Sequence, residues 1–430
     1  MTFLNLDDWQ AVKEIIILFE ILLATGVFLL NDGRYRPLAL VNLIGSLILL
    51  PGSLVYGEFY PSSSVGENLG HFVMLFSFLI SVWIIATGDI NKIFRNIIAI
   101  EAPINNNYLY IWRTLLLFIF LSGIAVIVER GGIQETGLWG MLFDSERYDL
   151  LRALSHKTIG NVLVKRLYSY SLLLIPFVSV CAFVLLKYKK YRKEAFLGLL
   201  IVIFVALLSG TRGHVINILF TYLLFIIITN NKFPMKKAIT LIGLSFMLLL
   251  TLSISRSSDE VDYETLSNKV HEVVRRIVAS PFYTGVVHME YVNQTGLWDY
   301  SSITPFPGKN HLGFDHINSF RVVGEWYSGS EEENMNTSEI FLQMSIFGVG
   351  VGGAVAIIMF IVTDFVVLFV SFLERAFRLP VFITLLGYFK NSISTGLTEI
   401  IYMCLILILI IFVLLAARYF LLRTVRVCKS

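Results

Sequence analysis

The first candidate for chemistry in this sequence is an arginine between two apolar runs. It lies in Ser209-Gly210-Thr211-Arg212-Gly213-His214, which leaves no room for a conventional loop. Arg at membrane depth costs about 2.5–3.5 kcal/mol on insertion scales, so Arg212 must face a cavity, a partner or an anion rather than lipid. Glycines on both sides permit a sharp turn and the close approach of a large ligand. The plainer alternative is a snorkelling Arg at a tight hairpin.

A second set of cations, Arg256, Lys269, Arg275, Arg276, Lys309 and Arg321, shares one polar stretch with His271, His288, His311 and His316. A planar guanidinium fork pairs bidentately with phosphate oxygens and keeps its charge at any relevant pH, so gathered arginines suit a diphosphate. Glu272 precedes Arg276 by four residues, the favourable order for a helical ion pair, so Arg276 reads first as half of a surface pair. Arg275 shares its face with His271 and is the better ligand candidate. Lys309 and Arg321 have the ordinary alternative of solvated loop charges.

Carboxylates supply candidate bases. Glu339 opens an apolar run at 340–363 and Glu399 sits near the start of the last run; each is either a general base or a helix-start charge favoured by the macrodipole. Glu20 lies well inside the first apolar run, where a lone acid has a functional or interhelical role, and Asp364 reads as interfacial. Asp259-Glu260-Val261-Asp262 lacks the spacing and Gly of a calcium loop, and neither a nucleotide-binding glycine motif nor H-E-x-x-H occurs. Gly348-Val349-Gly350-Val351-Gly352-Gly353 fits close helix packing better than a phosphate loop.

The elements that must hold these residues are membrane spans. Apolar residues make up 56% and charged residues 15% of the chain, against about 25% charged in a soluble domain. Near-spanning runs fall at 14–30, 38–56, 70–88, 108–128, 168–186, 195–210, 214–229, 238–253, 340–363, 379–390 and 398–417. An all-α polytopic membrane protein with about 11 spans (10–12) is expected, the first a retained span rather than a signal peptide. Alternate links carry Lys and Arg, which puts them in the cytoplasm, the N-terminus outside and the C-terminus inside. The expected organisation is a bundle over 1–253, a large outer loop over 254–338 and further spans with a basic tail over 339–430. Within that loop Leu266, Val270, Val273, Val274 and Ile277 predict an amphipathic helix over 263–278 that Pro281 halts. All seven histidines, including His71, His156 and His214, fall on or near the outer side. The three cysteines have no disulfide or metal spacing, and the scattered basic residues give no nucleic-acid surface.

Taken together, Ser209-Gly210-Thr211-Arg212-Gly213 between two spans, the late outer loop with Pro305-Phe306-Pro307-Gly308, and Asn336-Thr337-Ser338-Glu339 running into Phe347-Gly348-Val349-Gly350 resemble the Wzy-type O-antigen polymerases. These are relatives of the enterobacterial common antigen polymerase and, more distantly, of O-antigen ligases. The resemblance implies a GT-C-like glycosyltransferase of the bacterial inner membrane with a large periplasmic loop. It would move a growing glycan from undecaprenyl diphosphate onto the non-reducing end of a lipid-linked repeat unit at the periplasmic face. It implies no cofactor and no metal. Partners would be the lipid-linked donor and acceptor, membrane lipid, and a chain-length regulator and flippase of the same pathway. By the same resemblance Arg212, Arg275, Arg321 and Glu339 are catalytic candidates, and His214, Arg276, Lys309, His311 and His316 substrate-binding ones. Where ligases carry a His-Asn pair this chain has Thr337-Ser338, which favours polymerase over ligase and leaves the base among Glu339, His311 and His316. A flippase or transporter is the rival class, resting on Glu20 alone. Reporter fusions within 254–338 are expected to report a periplasmic location; a cytosolic signal there would overturn the reading.

Overall fold

The computed structural model describes residues 6–29, 33–61, 63–98, 103–144, 147, 150–151, 159–230, 236, 240, 243, 263–298, 319–329, 338–390 and 397–427. Every regular element among them is helical. In chain order they are α1 (Leu6–Leu29), α2 (Pro37–Phe59), α3 (Ser64–Ala86), α4 (Asp89–Ile98), α5 (Asn106–Glu129), α6 (Gly137–Phe143), α7 (Val162–Leu186), α8 (Arg192–Leu208), α9 (Arg212–Thr229), α10 (Tyr263–Val274), a π turn (Arg275–Ala279), α11 (Ser280–Thr295), α12 (Ser319–Ser328), α13 (Glu339–Phe347), α14 (Val349–Val370), α15 (Arg375–Phe389) and α16 (Leu397–Val427). Among the described residues, α2, α3, α5, α7, α14 and residues Met403–Phe420 of α16 are long and apolar enough to cross a membrane. The chain is therefore an all-α, multi-pass membrane protein, as lipid demands of a backbone that must satisfy its own hydrogen bonds. Most of the run at 238–253 lies outside the described residues.

Local chemistry sets the helix ends. Ser63, Asn105 and Asn161 sit in extended conformation and cap α3, α5 and α7 through side-chain oxygens that accept backbone N–H groups. Pro37 starts α2, where its missing N–H removes no helical bond. Three expectations are corrected. The run at 340–363 is two helices, because Gly348 adopts φ +79° and ends α13 before α14 begins. A Cβ on Gly352 would stand 2.3 Å from the Gln343 carbonyl oxygen, so the following glycine lets α14 fold back against α13. Pro281 does not halt the loop helix; the chain passes it through the π turn and continues as α11. Asp364 is more than an interfacial charge: it is 5% exposed and paired with Arg36.

The chain divides into two compact units, Met1–Ile97 with His271–Phe372 and Tyr388–Tyr402, and Ile98–Val270 with Leu373–Gly387 and Met403–Ser430. In the first, α2 is the central helix and packs against α1, α3, the π turn, α11 and α14. Asn42 donates to Ser81 at 2.8 Å and Ser46 bonds Ser77 at 2.6 Å, two polar links across the α2–α3 seam. The link before α2 is fixed by Arg36, which is 1% exposed. Its Nε and Nη2 donate to Asp364 Oδ2 at 2.8 and 2.6 Å, while Nη1 donates to the Ile84 carbonyl at 3.2 Å and to Thr87 Oγ1 at 2.8 Å. The other Asp364 oxygen accepts the Leu38 N–H at 3.0 Å.

In the second unit α5 packs on α7 and α8, and α9 on α7 and α8. Trp112 Nε1 and Tyr108 Oη donate to the Val178 and Cys181 carbonyls at 3.2 and 3.1 Å, pinning α5 to α7. Arg113 on α5 makes a bidentate pair with Glu194 on α8, at 2.6 and 2.8 Å.

Asp364→Ala leaves the Arg36 guanidinium buried without its counter-charge, at an expected cost of about 3–5 kcal/mol. The loss should appear as a lower apparent melting temperature in detergent, and Arg36→Met combined with Asp364→Leu should recover most of it. A single variant as stable as the parent protein would show that the pair does not hold these helices.

Candidate functional site

In the first unit the candidate residues gather around α11. Pro281 has no N–H, and in α geometry its ring would clash with the carbonyl of Ile277. The chain answers with a wider turn, in which the Ser280 N–H reaches back five residues to the Arg275 carbonyl. The Ser280 hydroxyl donates to the same oxygen at 3.0 Å, so Tyr60, whose Oη is 2.8 Å from Ser280 Oγ, supplies the proton of that contact. Such a turn re-aims the side chains it carries and recurs at functional sites. A Cβ on Gly52 of α2 would lie 2.6 Å from the Val278 carbonyl oxygen, so the turn rests directly on α2 backbone.

The turn separates two adjacent arginines. Arg276 is exposed and its Nη2 pairs with Glu272 Oε1 at 2.6 Å, the surface ion pair expected of it. Arg275 is half-buried, and among the described residues its buried Nε has no hydrogen-bond partner. His271, one turn earlier, packs on Phe59 with ring centroids 4.5 Å apart.

Aromatic rings pack along α11 beyond the turn. Tyr60 stacks on Tyr283 at 3.8 Å, and the Tyr283 hydroxyl donates to Tyr327 Oη at 3.0 Å. Burial, then the bond to Tyr327, pushes the Tyr283 phenol above its ordinary pKa, so it stays protonated as a donor. Tyr291 stacks on Trp298 at 5.1 Å and meets the Trp326 ring edge at 5.5 Å. Trp326 and Tyr327 are 39% and 43% exposed, so α12 presents aromatic faces outward while holding α11 with others. Arg321 is exposed on α12. Glu339 is the first residue of α13, a nine-residue helix rather than the start of a span. α13 is fixed to α11 by Phe341, which packs on Phe282 and against Gly285, and by the Trp298 N–H donating to the Ser345 carbonyl at 3.0 Å. Arg275, Arg321 and Glu339 thus sit on elements that share α11 as support.

Arg212 and His214 belong to the second unit. Gly210 has φ +68°, a left-handed conformation that an L side chain strains to adopt. Its backbone touches that of Gly137, where a Cβ would meet Gly210 Cα at 2.6 Å. Ser209 Oγ lies 2.6 Å from Thr211 Oγ1 and accepts the Thr211 N–H at 3.1 Å, closing the turn. Arg212 is then the first residue of α9, and Thr211 gives no side-chain cap. A cation at a helix N-terminus opposes the macrodipole, so an arginine at this position gains nothing for the helix. The sharp turn expected of the glycines is supplied by Gly210. Gly213 is the open one, with no atom within 4 Å of a built Cβ.

Lys309, His311 and His316 lie outside the described residues, as do His156 and Arg256. Sequence reasoning passed over Tyr60, Tyr283, Tyr291, Trp298, Trp326 and Tyr327 individually; the only signal was the abundance of aromatics in the loop. Among the described residues no three His, Cys, Asp or Glu side chains gather as a metal-ligand set. Compared with known protein families, curated proteins and solved structures, the chain matches none.

Gly210→Ala is expected to destabilise the protein by about 1–2 kcal/mol from the backbone conformation alone, with more from the Gly137 contact. Gly213→Ala should leave the apparent melting temperature in detergent unchanged or raise it. An equal loss at both positions would dismiss the turn as the reason for glycine.

Proposed function

We propose that this protein is a Wzy-type O-antigen polymerase, a glycosyltransferase that uses undecaprenyl-diphosphate-linked sugars at the periplasmic face of the bacterial inner membrane. The observation that carries this reading is Arg275: a half-buried guanidinium with an unbonded Nε, held in a π turn that leads into a helix packed by partly exposed aromatic rings. A diphosphate needs such a cation, and the faces of sugar rings pack on aromatic side chains. About eleven spans, a GT-C-like bundle, a periplasmic N-terminus and a cytoplasmic C-terminus complete the proposal.

In the proposed reaction an acceptor hydroxyl on the incoming repeat unit attacks the anomeric carbon of the growing glycan. The bond from that carbon to the diphosphate oxygen breaks, the acceptor proton passes to a base, and undecaprenyl diphosphate leaves. Arg212 of the second unit, and Arg275 and Arg321 of the first, are each candidates for stabilising a departing diphosphate. Glu339, His311 and His316 are the candidate bases, and His214, Arg276 and Lys309 would bind substrate. Arg276 is the weakest member, since Glu272 already engages it.

The rival transporter reading has one observation in its favour. Glu20 is 5% exposed inside α1, and its buried Oε2 has no hydrogen bond among the described residues. An acid in that setting suits a proton-coupled carrier.

Purified protein incubated with a defined lipid-linked repeat unit should yield a ladder of lengthened products. Arg212→Ala and Arg275→Ala should each lower the rate by about 10²–10³-fold, whereas Arg276→Ala should stay close to the parent rate. In cells, Arg212→Ala should leave core bearing a single repeat unit. No ladder from the folded parent protein, with cells lacking it displaying no repeat units outside, would favour the transporter.

A further inference from the structure

Within the first unit, α2, α3, α14 and the start of α13 line a cavity of about 30 Å³. The rings of Phe76 and Phe360, edge-on at 5.5 Å, form part of its wall. Polar side chains line it as well: Asn42 and Ser46 from α2, Ser77 from α3 and Ser338 at the start of α13. Each of these is 5% exposed or less. About 10–15 Å³ is room enough for one water molecule, and it is polar lining that separates wet cavities from dry ones.

The hydrogen bonds of these side chains are incomplete. Ser338 holds the N-cap position of α13, yet its side chain makes no cap bond, and its buried Oγ has no hydrogen-bond partner among the described residues. Ser46 and Ser77 share one bond at 2.6 Å, which uses one of their two hydroxyl protons. Elsewhere a buried serine gives its proton to a carbonyl of its own helix, as Ser53 does to Leu50. Among the described residues no carbonyl takes the second proton of the Ser46–Ser77 pair. Asn42 donates through Nδ2 to Ser81 at 2.8 Å, and its Oδ1 accepts no bond among the described residues.

We propose that this cavity is a binding site for one water molecule, bonded to Ser338 Oγ, Asn42 Oδ1 and a hydroxyl of the Ser46–Ser77 pair, and that this water ties α13 to the α2–α3 seam. The partners call for a ligand that both donates and accepts. An amide oxygen only accepts, the second serine proton can only be donated, and the Ser338 hydroxyl does either. A buried water makes about three hydrogen bonds, which these groups supply. An anion would be set against the Asn42 oxygen, and a cation against the positive end of the α13 dipole. The contact needs no glycan, so the inference stands apart from the proposed activity.

The test joins a high-resolution structure of the full-length protein in lipid nanodiscs to the stability of Ser338→Ala. One density peak should lie within hydrogen-bonding distance of Ser338 Oγ and Asn42 Oδ1, and Ser338→Ala should weaken or remove it. Since Ser338 makes no cap bond, deleting an orphan hydroxyl would leave the apparent melting temperature unchanged or raise it, whereas deleting a water ligand should lower it by about 1–2 °C. Ser338→Ala and Ser77→Ala remove groups that are not bonded to each other, so a shared water predicts a combined loss smaller than the sum of the two. The proposal is overturned by a Ser338→Ala protein at least as stable as the parent, by strictly additive losses, or by a cavity without density in a map that shows other buried waters.

Discussion

The first unit depends on one buried ion pair. Two charges taken out of water cost several kcal/mol each, and their attraction repays that only when the remaining donors and acceptors are also satisfied. Here they are: the guanidinium of Arg36 reaches Asp364, Thr87 and the Ile84 carbonyl, and the second carboxylate oxygen takes the Leu38 N–H. The bonds reach three pieces of chain, so the pair fixes the entry of α2, the exit of α3 and the position of α14 at once. Lipid offers helices no hydrophobic reward for touching each other, and polar contacts with close backbone approach must choose their register instead. The Asn42–Ser81 and Ser46–Ser77 bonds continue that logic along the α2–α3 seam.

At the other end of α2 the constraint is steric. Gly52 lets the π turn rest on α2 backbone, and Pro281 requires the turn to be wide. The width shifts Arg275 away from the face that an unbroken α-helix would give it. The same turn leaves Arg276 in reach of Glu272, so two neighbouring arginines meet different surroundings. α11 then carries the consequence outward, since α12 and α13 are both fixed against it by aromatic contacts.

What the sequence made legible was local. Apolar runs located the six described helices long and apolar enough to cross a membrane, because hydrocarbon thickness sets their length, and the Glu272–Arg276 pair followed from i,i+4 spacing. Pairings across the chain left no trace: Arg36 and Asp364 stand 328 residues apart, and each alone resembled an ordinary boundary charge. The glycine run at 348–353 pointed to close packing and gave no sign of a reversal, since both call for glycine. Both occur, Gly348 turning the chain and Gly352 admitting α13. Pro281 misled for a different reason, since a proline stops an α-helix but not a chain able to widen by one residue. The candidate site was legible in its arginines and not in its aromatics, whose contacts join α2, α11 and α12 and have no sequence period.

The arginines themselves divide by what the fold gains from them. Arg36, Arg113, Arg147 and Arg276 each face a carboxylate, and their positions need no further explanation. Arg275 meets no carboxylate among the described residues although its Nε is buried. Arg212 begins a helix, where the dipole is unfavourable to a cation and the cap is missing. Neither placement favours stability: one leaves a buried donor without a bond, the other sets a cation against the helix dipole. Each arginine, in its own unit, therefore stands apart from those that a carboxylate explains.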